Sequence, residues 1–458
     1  MKILFLSDSY MKDGSFDPFR KEVLQALSCY GHETKAIITN HFWQNNSSDV
    51  RIFKNVKRIL DIIRRFNPNL VFSINRAGLV KAVTDVISPN SIIITWFIDS
   101  YERVPEYLLQ FSSKDIVWLT GLREYADNFS RKYGLDKDKI VFAPFATNTS
   151  IFFPNNHTRD VDICLVGTAF CNEAFVQELN EIATDIDSRE ALISVFESHK
   201  QNYIFDIGKS LQGKGYKKYK EKQREVWQMI FDDQISIEKR IKFIAALKEF
   251  NVKIYGEPNY LWIKYLSIYE SSMLSKFQFA PIKTPQELSD FYNISKIGIN
   301  ISHHQASNHS LPIRPFDLMA CKTLLVTEKN SKEALEYIGF VENVDFVCFE
   351  NIKDLKDKCD FYLKNDVERE KVVESAYAKI KEFHSLKVRM EQGMAKSLGE
   401  NVTAEDLSNQ EVEIISSYNL VKRISLTKRY KYLQSMKDKF PKIWELFRFI
   451  AIRLKVLH

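Results

Sequence analysis

Arg314 and Asp317 stand three residues apart in the stretch Pro312-Ile313-Arg314-Pro315-Phe316-Asp317. A fixed guanidinium suits an anion and a nearby carboxylate suits hydroxyl groups, the two contacts a sugar nucleotide needs. More polar chemistry gathers just upstream. Lys296 lies in an apolar run, and His303, His304, His309 and Ser310 occupy the polar segment after it. An imidazole there can touch a diphosphate or a sugar; exposed loop histidines that touch neither are the alternative. A metal site would need carboxylate or thiol partners at suitable spacing, and none is evident. In the first third of the chain, Asp99 directly follows the apolar run Trp96-Phe97-Ile98. A carboxylate so placed is either a general base or sugar-hydroxyl acceptor, or a plain cap of the loop. Tyr255-Gly256 closes another apolar run, where the glycine lies against a nucleobase or merely serves packing.

These residues must be held by regular elements. Ile297, Ile299 and Ile301 alternate as in a buried strand, and Pro312 and Pro315 suit the first turn of a helix. The segment 292–327 thus reads strand, loop, helix, strand, with free N–H groups at the helix start facing the loop, a place for phosphate. The first half of the chain alternates in the same way. Strands are expected at 2–6, 34–38, 70–74, 92–96, 116–119 and 140–142, with helices between them. That order predicts a parallel sheet covered on both faces, with ligands beyond the carboxyl ends of the strands. The loop after the first strand, 7–15, contains one glycine and no GxGxxG, so the nicotinamide or flavin fingerprint is absent. Farther on, 236–250 reads as an amphipathic helix with Ile237, Ile241, Ile244, Ala245 and Leu247 on its apolar side.

Length and composition bound these readings. A chain of 458 residues is too long for one core, and 45% apolar content with mixed charge marks a globular protein. The first ten residues lack the pattern of a signal peptide, and no window approaches the roughly 18 unbroken apolar residues of a spanning helix. Six scattered cysteines without a CxxC pair are expected to be reduced, buried thiols, which suggests a cytoplasmic protein. From Lys422 to His458 eleven Lys or Arg face two acids, 11 − 2 = +9, against +6 for the whole chain. The basic excess therefore belongs to the tail. There Ile443, Leu446, Phe447, Ile450, Leu454 and Leu457 share one helical face beside Arg448, Arg453 and Lys455, as in an interfacial helix at the inner face of a membrane. Packing on the protein is the alternative, and no motif for nucleic acid accompanies the charge. Gly208 to Lys214 matches GxxxxGK, but Gly215 replaces the magnesium-binding Ser or Thr, so a flexible basic loop is the better reading than an ATP site.

Phe142-Ala143-Pro144-Phe145-Ala146-Thr147-Asn148 and Phe152-Phe153-Pro154 bracket a domain joint. This P-x-A-x-(D/N)…F-x-P pattern resembles the joint of two-domain GT-B glycosyltransferases. The stretch from Arg240 to Arg389 resembles the glycosyltransferase group 1 C-terminal domain, in particular its CgeB-like version. Tyr292-Asn293-Ile294-Ser295-Lys296-Ile297, Arg314-x-Phe316-Asp317-x-x-Ala320-Cys321, Leu324-Leu325-Val326-Thr327 and Phe383-His384-Ser385 carry the likeness. The family usually writes R-x-F-E-x-x-A-C-G; here Asp317 replaces Glu and Lys322 replaces Gly. Aspartate keeps the charge but is one methylene shorter, so a ribose would have to approach closely or through a water.

The resemblance implies an α/β GT-B fold of two doubly wound Rossmann-like domains facing a deep cleft, with a C-terminal helical extension. Residues 1–150 would form the acceptor-side domain and 151–400 the nucleotide-sugar domain, with a helical insertion at about 173–235. A helix at 407–421 would return towards the first domain, and 401–458 would form the basic extension. The implied activity is transfer of a hexose-like sugar from a nucleotide diphosphate, UDP or GDP, to a hydroxyl of a glycan, lipid-linked glycan or protein, as in cell-surface polysaccharide biosynthesis. No cofactor would be tightly bound and no metal required, because helix dipoles and cations stabilise the leaving diphosphate. The implied diphosphate contacts are Gly167, Thr168, His309, Ser310 and Arg314; Gly167 permits close backbone approach and Thr168 offers a hydroxyl. Asp317 would hold the ribose, and Asp99 would face acceptor or sugar. Retention and inversion stay open. The alternative is a non-catalytic sugar-nucleotide-binding or scaffold protein of the same fold, which the changes at Asp317 and Lys322 favour.

Overall fold

The computed structural model describes residues 1–8, 16–28, 33–39, 50–101, 104–169, 190, 197, 236–257, 259–303, 311–399 and 412–416. The chain divides into two compact units, Met1–Pro144 together with the chain from Leu386 onward, and Phe145–Ser385.

The first unit is built on a parallel sheet. Its strands are β1 (Lys2–Ser7), β2 (Glu33–Ile38), β3 (Leu70–Ile74), β4 (Ile92–Phe97), β5 (Asp115–Leu119), β6 (Ile140–Phe142) and β12 (Glu413–Ser416), in the order β12-β2-β1-β3-β4-β5-β6. All five residues of β3 and all five of β5 are buried, as expected of strands covered on both faces. From β1 the chain steps outward to β2, then crosses back to β3 on the other side of β1, so the carboxyl ends of β1 and β3 flank the switch in direction. Phe72, Trp96 and Trp118 pack edge to face in the core. Helix Leu386–Leu398 presses on Trp118 at Gly393, where a Cβ would stand 2.4 Å from the indole, and Ser397 Oγ accepts its N–H at 2.8 Å. The chain therefore returns to the first unit after Ser385, earlier than a boundary near residue 400. Of the helix expected over 407–421 only 412–416 lie among the described residues, and there Glu413–Ser416 is a strand paired in parallel with β2, in register from Lys35 to Ile38. Ile414 and Ile415 are β-branched and fit that edge.

The second unit holds a five-stranded parallel sheet: β7 (Val161–Thr168), β8 (Val252–Glu257), β9 (Ser295–Asn300), β10 (Leu324–Glu328) and β11 (Val347–Phe349), ordered β11-β10-β9-β7-β8. Here the direction switches between β7 and β9. One face of the sheet packs on a helix at 236–245 through Ile237, Ile241 and Ile244, all fully buried with Ile163, Ile297 and Ile299. On β9, Gly298 accepts the close approach of helix Arg314–Ala320: a Cβ there would stand 2.3 Å from the Leu318 side chain. That contact fixes the helix whose first residue is Arg314.

Candidate functional site: two arginines at a switch point

Two arginines meet at the carboxyl ends of β7 and β9. A Cβ on Gly167 would stand 3.5 Å from Arg314 Nη2 and 3.9 Å from Arg240 Nη1. Arg314 Nη1 donates to Asn300 Oδ1 at 3.0 Å. Asn300 is held in turn by bonds from its Nδ2 to Thr327 Oγ1 (2.9 Å) and Ser302 Oγ (3.2 Å). Arg240 Nε donates to Ile301 O at 3.1 Å and its Nη1 to Thr168 O, so one guanidinium spans both strand ends. Next to it in sequence, Lys239 is buried with Glu328; the ion pair closes at 2.7 Å, and Glu328 also accepts the Ser302 N–H at 2.8 Å.

The electrostatics follow from this geometry. Burial lowers the proton affinity of Arg240, repulsion from Arg314 lowers it further, and Glu328 opposes both, leaving a pKa of about 9. Arg314 is also lowered by burial, with Tyr292, Cys164 and Asp317 opposing. Both guanidinia stay protonated at neutral pH. Desolvated like charges held together are costly unless an anion joins them. A diphosphate is such an anion, and bidentate guanidinium bonds match its oxygens.

The residues singled out in the sequence distribute unevenly. Gly167 and Arg314 come together at this point. Thr168 is exposed and contributes its carbonyl to Arg240. His303 lies half-buried just past β9, while His304, His309 and Ser310 lie outside the described residues, as do the Gly208–Gly215 segment and the helix expected at 443–457.

Others take different positions from those expected. Lys296 is at the amino end of β9, paired with Asp162 at 2.9 Å, on the opposite edge of the sheet from the arginines. Its periodicity showed a strand but not which end of the strand it occupies. Tyr255 and Gly256 face opposite sides, as neighbours on a strand must. The Tyr255 ring packs edge to face on Phe291 at 4.6 Å. At Gly256 the Trp262 indole fills the space a side chain would need, with its Nε1 2.0 Å from a Cβ position, so this glycine serves packing and does not face a base. Asp317 is buried, only 3% exposed, and accepts the Thr147 hydroxyl at 2.7 Å. Its carboxylate is thus turned to the joint segment and away from a ribose in solvent. Lys322, in the family's glycine position, adopts φ 53° just past the helix and pairs with Glu374 at 2.5 Å. The helix itself has seven residues, so the guanidinium outweighs its dipole as the source of positive charge.

In the first unit, Asp99 is exposed beyond β4, with Asn75 Nδ2 donating to its Oδ2 at 2.8 Å. Arg76, from the same strand-end loop, is buried against Asp115 at 2.6 Å and does not offer its charge to solvent. The described cysteines, Cys164, Cys321, Cys348 and Cys359, are free and buried, and burial pushes each thiol up to about 12. Among the described residues no cluster of His, Cys, Asp and Glu could hold a metal, and no helix is long and apolar enough to cross a membrane.

Two doubly wound units, one with a pair of guanidinia at its switch point, define the GT-B glycosyltransferase fold. Comparison with known proteins agrees: residues 238–395 match the glycosyl transferase-like family. That match spans the helix of Arg240 and the helix of Arg314, and does not single out the CgeB-like branch. Among solved structures, a glycosyltransferase from Rickettsia africae is similar over 87% of this chain and 99% of its own, at 15% identity and a TM-score of 0.52. The sucrose-phosphate synthase of Thermosynechococcus elongatus is similar over 86% and 98%, at 9% identity and 0.51. Anabaena HepE, solved in complex with UDP and glucose, is similar over 87% and 99%, at 10% identity and 0.51. No curated protein matches the chain in sequence.

Sequence reasoning missed Lys239, Arg240, Asn300 and Glu328. One signal was present: Arg240 lies three residues after Ile237 and four before Ile244, a cation on the apolar stripe of its helix. A charge there must either find a buried partner or line a site.

Proposed function

We propose that this protein transfers a sugar from a nucleotide diphosphate to a hydroxyl acceptor, and that Arg240 and Arg314 hold the diphosphate. The observation that carries this reading is the convergence of both guanidinia on Gly167 at the β7–β9 switch point. HepE, of the same fold, was solved with UDP and with UDP-glucose, so a UDP-sugar is the first donor to test. The guanidinia neutralise charge that builds on the departing diphosphate, a contribution that grows in a desolvated site. His309, Ser310 and the Thr168 hydroxyl are assigned to the same anion, and Asp99 to the acceptor hydroxyl. The acceptor is a glycan, a lipid-linked glycan or a protein, and the +9 tail from Lys422 to His458 supports contact with an anionic inner-membrane surface.

Calorimetric titration with UDP tests the donor site. Wild type is expected to bind, and replacing Arg314 by methionine should weaken binding with the fold intact. Equal affinity in wild type and Arg314→Met would sink the assignment. Turnover of UDP-glucose, followed as UDP release, then separates an enzyme from a protein that only binds the nucleotide.

A further inference from the structure

We propose that Asn75 is a positioning residue that sets the Asp99 carboxylate; this rests on the acceptor-side role given to Asp99 above. The first observation is backbone strain. Asn75 and Arg76 follow β3 in succession with φ 51° and 56°, left-handed values that asparagine tolerates and arginine rarely adopts. Such a pair persists only where the surroundings over-determine it.

The surroundings here are specific. Arg76 is buried, paired with Asp115, with its Nη2 donating to Gln110 O at 2.7 Å and its Nε to Leu108 O at 2.5 Å. Its guanidinium lies over the Phe111 ring at 4.4 Å. Asn75 N donates to Trp96 O at 3.0 Å, which ties the loop to the end of β4. The strained turn aims the Asn75 amide at residues 98 and 99. Its Oδ1 accepts the N–H of Ile98 at 2.9 Å and of Asp99 at 3.3 Å, while its Nδ2 donates to Asp99 Oδ2.

One side chain therefore fixes both the backbone and the carboxylate of Asp99. A solvated surface carboxylate needs no such bracket for stability. A carboxylate that must meet a reacting hydroxyl does, because a misplacement of about 1 Å costs on the order of a hundredfold in rate. In the step, the acceptor oxygen bonds to the anomeric carbon, the bond from that carbon to the diphosphate breaks, the nucleoside diphosphate departs, and Asp99 takes the hydroxyl proton. With water as acceptor the products are the free sugar and the nucleoside diphosphate.

The test uses the full chain with UDP-glucose and water, plus hydrogen exchange. Asn75→Gly retains the left-handed backbone and removes the amide. It should keep the wild-type melting temperature and KM for UDP-glucose, lower kcat by about tenfold to a hundredfold, and speed amide exchange at Ile98 and Asp99. Asn75→Asp keeps an acceptor for those N–H groups but loses the donor to Asp99; its exchange should stay slow while kcat falls. Asp99→Asn should fall at least as far as Asn75→Gly. Wild-type kcat in Asn75→Gly alongside an impaired Asp99→Asn overturns the proposal, as does unchanged exchange at Ile98 and Asp99. An unimpaired Asp99→Asn overturns it through the role of Asp99. A wild type that neither binds UDP nor consumes UDP-glucose overturns the donor reading instead, and the exchange comparison then decides the bracket by itself.

Discussion

The two sheets organise their carboxyl ends by different means. In the second unit, most of the charge is buried: Arg240, Lys239 and Glu328 cluster with half-buried Arg314 where β7 and β9 part, and two like charges share one corner. In the first unit, the Arg76–Asp115 pair is buried and neutralised, and the charge left exposed is that of Asp99, which a neutral amide on a strained turn holds in solvent. The difference suits the two tasks proposed for these places. A site that must grip an anion gains from desolvated cations, because their field is weakly screened. A site that must meet a neutral hydroxyl gains from an accessible group of fixed direction.

Substitutions can break or sharpen that contrast. The largest effect should come from the exposed carboxylate: Asp99→Asn is expected to lower kcat for UDP-glucose by about 100-fold or more, in the usual range for a general base. The Kd for UDP should not change, because the buried cations lie in the other unit. A parallel loss of UDP affinity would merge the two tasks and end the distinction. On the buried side, Arg314→Met or Arg240→Met should cost about 2–3 kcal/mol of UDP binding, the scale of a charge-assisted bond, measured by calorimetry. Apo stability should change less, since each replacement also removes a repulsion.

The buried charge should also be visible in pH. Folded Arg240 releases its proton near a pKa of about 9, below its ordinary 12.5. UDP affinity is therefore expected to hold near neutral pH and to fall as pH rises through about 9. Apo stability should gain a contribution over the same rise, because the unfolded chain keeps the proton that the folded arginine has lost. Arg240→Met should abolish both trends, and a wild-type profile retained in that variant would place the titration elsewhere. Gly256→Ala probes packing beside the cations. Overpacking against Trp262 should destabilise by about 1–3 kcal/mol in chemical denaturation, with UDP affinity unchanged once folded. Lys322→Gly should have the smallest effect. It relieves a left-handed lysine but loses an exposed ion pair with Glu374, so the net change should stay within about 1 kcal/mol, with no change in UDP binding.

Several features were legible from pattern alone. Alternating apolar runs announced both parallel sheets. Arg314 was marked by its place at the start of a helix that follows a buried strand. Asp99 was marked as an acid at a strand end. Other features depended on depth, which a local pattern does not encode. Lys296 and Arg314 are both cations near β9, but one is at the amino edge and the other at the carboxyl edge. Tyr255 and Gly256 looked like one surface and lie on two. Asp317 looked like a ribose ligand and is bonded to Thr147, a residue 170 positions away.

The sequence by itself determined the element order, the two parallel sheets and the candidates Arg314 and Asp99, because hydrophobic period and turn residues act over short distances. Only the tertiary structure decided which charges share a corner. Arg240 joins Arg314, and Asn75 reaches Asp99, through crossovers that bring distant strand ends side by side. The physical reason is that burial and pairing are properties of the packed chain: the same cation is a solvated surface group or half of an anion site according to what folds against it.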